Sequence, residues 1–207
     1  MEDRWLHKAK RLHAIATTGL HYTDSPFDRE RYAEIAALAS AMLADLGNVP
    51  LARIDGLITQ FTHGYATPKV DVRAAVFRDD RILLVQERTD GRWTMPGGFA
   101  DVGLTPGQNV AKEVHEEAGL HVVPERLYCV RHKATHAYDP DVREFYKLFF
   151  LCTPLDEHEP CPGHETLAAG YFARDGLPPL STARVLESDI AAAFAAHADC
   201  TLPVLFD

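Results

Sequence analysis

The sequence predicts an α/β fold: an α/β/α sandwich on a mixed sheet, preceded by a small helical domain. Three observations carry this prediction. Apolar residues recur at helical spacing through the first 60 or so residues, then give way to strand-like runs from Val70 onward. A well-capped helix interrupts those strands, and another helix follows the last of them. Mixed strands enclosed by two such helices form a layered sandwich. The 207 residues are enough for two units, divided here as residues 1–62 and 69–207.

In the helical part, Trp5, Ala9, Leu12 and Ala16 mark one stripe over residues 3–18, which Gly19 is expected to end. Ser25-Pro26 opens a second helix carrying Tyr32, Ile35, Leu38, Ala39, Met42, Leu43 and Leu46, with Gly47 as its stop. A third, shorter helix is expected over residues 50–60. So few helices make a small core on their own, so this unit is expected to pack on the second domain or on another subunit. His63, Gly64 and Pro68 mark a linker over Thr62–Lys69.

The second part opens with a strand over Val70–Phe77, an Arg-Asp-Asp-Arg turn, and a strand over Ile82–Arg88. Later strands are expected over Leu127–Lys133, Phe145–Cys152 and Gly170–Ala173. The polar loop His136–Arg143 is placed to meet a ligand. A last helix over 183–197 follows the Pro178-Pro179 break.

The helix beginning at Pro106 holds the chemistry. Thr105 is an N-cap, Gln108 completes a capping box and Gly119 is a left-handed stop. Val110, Val114 and Ala118 form its apolar stripe, and Glu113, Glu116 and Glu117 share another face at i, i+3 and i+4. Like charges stacked this way repel unless a cation lies between them. Hard carboxylate oxygens suit Mg²⁺ or Mn²⁺. Upstream, Pro96-Gly97-Gly98 offers a backbone without Cβ atoms for close approach to metal or phosphate.

From Gly98 to Leu120 the chain resembles the Nudix box, G-x5-E-x7-R-E-U-x-E-E-x-G-U with U aliphatic. Glu113, Val114, Glu116, Glu117, Gly119 and Leu120 fall in register. Leu104 replaces the first Glu, and Lys112 replaces the Arg and its bidentate fork. Asp101 is a candidate for the missing acidity. The resemblance covers nearly the whole chain and points to the Nudix subgroup with an N-terminal helical domain, which includes CDP-choline and ADP-ribose pyrophosphatases.

That resemblance implies a Mg²⁺-dependent pyrophosphohydrolase, with Mn²⁺ as a substitute and more than one ion, acting on nucleoside diphosphate-X compounds. Glu113, Glu116, Glu117 and a carbonyl of the Gly-Gly turn, Gly97, become the metal ligands. The general base is either a box acid, Glu116 or Glu117, or the late-loop Glu165. Arg73 and Arg88 are candidates for holding phosphate or for structural ion pairs; Tyr138 is a candidate for stacking on a base or for core packing. Similar proteins are often dimers, which implies a homodimer through the N-terminal helices. Two other functions remain open: a non-catalytic nucleotide sensor, and a hydrolase of nucleoside triphosphates or dinucleoside polyphosphates.

The net charge of −9 argues against nucleic acid as a partner, since such binding rests on clustered Lys and Arg. No apolar run approaches a membrane span, and no leader-like segment follows the charged start, so the expected setting is the cytoplasm. The four cysteines show no ligand-like spacing; Cys129 and Cys152 are expected to be buried thiols.

Overall fold

The computed structural model describes residues 3–58 and 65–207. It divides into two compact units: one runs to Pro68 and takes in Pro140–Glu144, and the other comprises Lys69–Asp139 and Phe145–Asp207.

The first unit holds α1 (Arg4–Tyr22), α2 (Pro26–Gly47) and α3 (Leu51–Ile58). Asp3 caps α1 by accepting from the Trp5 and Leu6 amides, and Ser25 with Pro26 opens α2. Two predicted stops are corrected. α1 runs through Gly19, because glycine is needed there for contact and not for termination: a Cβ would lie 2.6 Å from the Tyr32 ring. α2 includes Gly47 and turns left-handed one residue later, at Asn48 (φ 48°).

The predicted stripe of α1 is also rotated. Trp5 and Leu12 are exposed, whereas Leu6, Ala9, Lys10, Ala16 and Thr17 are buried. Hydropathy missed Lys10, whose ammonium lies 2.8 Å from Glu144 and 3.1 Å from the Asp141 carbonyl. Val142 packs with Leu6, Ala9, Leu43, Ala44 and Ile54. The tip of the polar loop is thus used within the helical unit. Residues 59–60 of the predicted third helix, and Thr62–Gly64 of the predicted linker, lie outside the described residues.

The second unit is the sandwich. Its strands are β1 (Lys69–Arg78), β2 (Arg81–Glu87), β3 (Trp93–Thr94), β4 (Gly97–Phe99), β5 (Val122–His132), β6 (Phe145–Pro154), β7 (Thr166–Phe172) and β8 (Leu205–Phe206); its helices are α4 (Pro106–Ala118) and α5 (Glu187–Ala198). The path through the sheet is β3-β2-β1-β6-β5-β8, with β4 beside β1 and β7 beside β2. β1 pairs in parallel with β6 and antiparallel with β4 and β2, so the sheet is mixed. Asp79 and Asp80 both take positive φ (48° and 54°), as a two-residue hairpin turn requires.

Period-two alternation divides β1 and β2 between two cores. Val72, Ala74, Val76, Leu83 and Val85 face Val110, Val114 and Ala118 of α4. Ala75, Phe77, Ile82 and Leu84 face Ile190, Ala193 and Ala196 of α5. Both valines of α4 are fully buried, each worth about 1.5–3 kcal/mol. Two strands begin earlier than their apolar runs suggest. β5 starts at Val122 and passes Pro124, where the ladder shifts register; β7 starts at Thr166, opposite Glu87. α5 begins after a turn in which the Val185 amide returns to the Ser181 carbonyl, later than predicted.

α4 begins as its sequence specifies, with both bonds of the Thr105–Gln108 capping box present and Gly119 at φ 69°. A residue not singled out by pattern, Asn109, ties the preceding loop to it. Its Oδ1 accepts from the Asp101 amide at 2.8 Å, and its Nδ2 donates to the Thr105 carbonyl at 3.2 Å. Asn109 is buried, and Asn109→Leu removes the side-chain bonds that tie this loop to the helix. The variant is expected to lose about 2 kcal/mol in urea unfolding, with the m-value unchanged.

Candidate active site

α4 presents Glu113, Glu116 and Glu117 to a cleft of about 440 Å³ that is also lined by Lys112, His164 and Glu165. The three carboxylates differ in environment. Glu117 is buried and accepts a bond from the Gly97 amide at 2.9 Å through Oε2. Glu113 is half-buried and lies against Gly98, where a Cβ would sit 2.9 Å from its Oε1. Glu116 is exposed and bound to Lys112 at 2.7 Å.

These differences appear in the acidities. Burial, with the neighbouring Glu87 and Glu113 charges, pushes Glu117 up to about 8 against the opposing Arg73 charge and Gly97 bond. Burial also raises Glu113 and Glu87. The bond that Lys112 donates to Glu116 raises the Lys112 pKa. Lys112 also lies 3.4 Å from Asp101, so it bridges the acid of the preceding loop to the helix. Leu104 is 40% exposed and takes no part.

The Pro-Gly-Gly turn is shaped by its glycines. Gly97 has φ 149°, and a Cβ there would lie 2.0 Å from the Val72 carbonyl oxygen. No L side chain fits, and the Gly97 amide is thereby held toward Glu117. The turn is fixed from β1 as well, through the Ala74 amide on the Pro96 carbonyl at 2.8 Å.

Two predicted substrate contacts are corrected. Arg73 is 4% exposed and fully engaged: it grips Asp71 with two bonds of 3.0 and 2.9 Å and donates to the Met95 carbonyl at 3.1 Å. Lys147, also buried, binds the same Asp71 at 2.7 Å. Burial would raise the Asp71 pKa, but the two cations outweigh it and hold the acid at about 2. Arg73 therefore stands behind the site as part of a buried ionic network. Tyr138 is 6% exposed, and its hydroxyl donates to the buried Asp189 at 2.5 Å, so its ring is not open to a base. Core packing, the second of the readings open for it, is the one observed.

Arg88 and Glu165 do come together. The Arg88 amide donates to the Glu165 carbonyl at 3.3 Å, and its guanidinium donates to the Thr166 carbonyl at 3.2 Å. His164, which spacing did not single out, joins the cleft because its loop is anchored on α4. Glu87, at the end of β2, is buried and bound to Arg184 at 3.0 Å.

A divalent ion fits the chemistry of this donor set, which consists of hard carboxylate oxygens, one of them on a buried acid. Among the described residues no three His, Cys, Asp or Glu side chains converge at metal-holding spacing.

A family model described as the NUDIX domain matches residues 67–193. The chain is a NUDIX hydrolase. A second model, described as a UDP-X-like N-terminal oligomerisation domain, matches residues 3–58. The chain is 41% identical over 194 residues to the Bacillus subtilis protein named "Putative ADP-ribose pyrophosphatase YjhB", covering 94% of this chain and 92% of that one. Among solved structures, a UDP-X diphosphatase matches with 32% identity and a TM-score of 0.63 over 98% of each chain. An ADP-ribose pyrophosphatase from Streptococcus suis is 41% identical with a TM-score of 0.62, over 68% of this chain and all of the other. In this NUDIX chain no described helix is long and apolar enough to cross a membrane.

The raised pKa of Glu117 gives a signed pH dependence. Its folded pKa of about 8 exceeds the ordinary 4.5, so its contribution to stability is complete below 4.5 and is lost as pH rises through about 8. A cation competes with that proton. Thermal unfolding between about pH 6 and about pH 8.5 should show a Mg²⁺-induced rise in Tm that grows with pH. Glu117→Gln should flatten it.

Proposed function

We propose that this NUDIX hydrolase cleaves the diphosphate bridge of nucleoside diphosphate-X compounds, with ADP-ribose and UDP-linked compounds first and CDP-choline next. The observation that carries the reading is that the α4 carboxylates and Glu165 line one open cleft. The long matches to relatives named for ADP-ribose and UDP-X support the substrate class.

Glu113, Glu117 and Glu116 would hold Mg²⁺ or Mn²⁺, with the Gly97 carbonyl as a further ligand. When bound, the ion supplies Lewis-acid neutralisation of the diphosphate charge. The chain's own groups do the rest. The Gly97 amide fixes the Glu117 carboxylate so that ligand geometry is set before substrate arrives. Lys112 and Arg88 supply positive charge at the cleft and beside its late loop. Glu165 is the general base: Glu117 is committed to Gly97 and Glu116 to Lys112, whereas Glu165 is exposed and is held through its backbone carbonyl. It takes the proton of the attacking water.

The functional unit is a homodimer assembled through the helical part. Trp5 is 57%, Phe27 71% and Leu38 61% exposed on α1 and α2, a waste of apolar surface unless a second copy covers it. Light scattering at micromolar concentration should give twice the chain mass, and Trp5→Asp with Leu38→Asp should give the monomer. A monomer in the unmodified protein would refute this assembly.

A panel of ADP-ribose, UDP-sugars, CDP-choline, diadenosine polyphosphates and nucleoside triphosphates, with Mg²⁺ and with Mn²⁺, tests the reaction. A diphosphate-linked compound should turn over, and Glu117→Gln should lose at least ~100-fold in kcat. Binding without turnover of any compound would instead indicate a sensor.

A further inference from the structure

We propose that Thr166 is a positioning residue: its hydroxyl locks the Cys161–Thr166 loop onto the carbonyl end of α4 and thereby holds Glu165 at the cleft. The inference rests on the assignment of Glu165 as general base.

The last carbonyls of a helix have no partner within it. In α4 the Gly119 amide returns to the His115 carbonyl, and the loop takes the next ones. The Cys161 amide donates to the Ala118 carbonyl at 3.0 Å, and the Gly163 amide reaches the Glu117 carbonyl at 3.2 Å. Thr166 joins the two sides. Its hydroxyl is the donor to the Glu117 carbonyl at 2.8 Å and the acceptor from the Gly163 amide at 2.8 Å. Thr166 is 1% exposed, so water cannot substitute for either bond.

Steric fit points the same way. At Gly163 a Cβ would lie 1.6 Å from the Glu116 carbonyl oxygen, so loop and helix backbones touch there. On the opposite side, Arg88 binds the Glu165 and Thr166 carbonyls. The backbone of Glu165 is therefore held between the end of β2 and the end of α4, while its exposed side chain is left to the cleft. The same carbonyl that Thr166 grips belongs to Glu117, so base and principal metal carboxylate are tied through one peptide. A displacement of about 1 Å at a reacting group costs on the order of 100-fold in rate.

The test is a double-mutant cycle of Thr166→Val and Glu165→Gln, with Thr166→Ser as the conservative variant, in the full-length protein with the best substrate of the panel. Thr166→Val should lower kcat about 10- to 100-fold, while KM and the Mg²⁺ concentration for half-activity move less than about 3-fold. Thr166→Ser should restore most of the rate. In the Glu165→Gln background Thr166→Val should cost almost nothing more, because it acts through Glu165. Cys161, an exposed free thiol on the same loop, should react faster with a thiol reagent in Thr166→Val.

If Glu165→Gln lowers kcat but Thr166→Val does not, or if the two losses simply add, the positioning role is wrong while Glu165 stands. If Glu165→Gln is harmless, the base assignment fails and this inference fails with it. A reading independent of any variant is amide exchange in the unmodified protein. Gly163 should be protected although it lies in a loop, and fast exchange there would overturn the lock even if Thr166→Val fails to fold.

Discussion

The bond from the Gly97 amide to the Glu117 carboxylate is the constraint on which the rest of the site depends. It joins the Pro-Gly-Gly turn to α4 across the edge of the sheet at 2.9 Å. It also gives a buried acid a hydrogen-bond donor, in a place where burial alone would favour the neutral form. The backbone conformation it needs is open only to glycine. Glu117 is thus fixed at both ends, its carboxylate by the turn and its carbonyl by the late loop.

Behind this bond lies a second layer of charge. Asp71, Arg73 and Lys147 are all buried and satisfy one another, two cations on one anion. The surplus positive charge favours ionised Glu117, opposing part of the burial penalty. Such a network is costly to assemble and harmful to break, since removing Asp71 would leave two cations uncompensated in a dry interior. Its position on β1 and β6 couples the acidity of the site to the integrity of the sheet.

Much of this was legible in the sequence. The caps of α4, its buried stripe and its acidic face all follow from local rules that packing does not alter, and the alternating strands gave the sandwich. What stayed hidden depends on distant partners. Arg73 read equally as a phosphate contact or a structural ion pair, and Tyr138 as a stacking or a core residue, because sequence shows no partner for either. Only the fold shows that Asp71 and Asp189 claim them. Gly19 read as a stop because the Tyr32 ring that requires it lies on another helix. The rotated stripe of α1 has the same origin: Lys10 is buried by partners more than a hundred residues away. Thr166 carried no signal at all, since its role lies in one bond to a helix carbonyl and one from a loop amide, which no spacing encodes.

In the proposed site Glu117, held by Gly97, is the titrating carboxylate that a divalent ion would engage. The amide of Gly97 reports directly on it. In a ¹⁵N-resolved NMR titration of the metal-free protein, the Gly97 amide proton should shift with a midpoint near 8, the value of Glu117. Added Mg²⁺ should move that midpoint down by at least about one pH unit. A Gly97 amide that ignores both pH and Mg²⁺ would contradict the account.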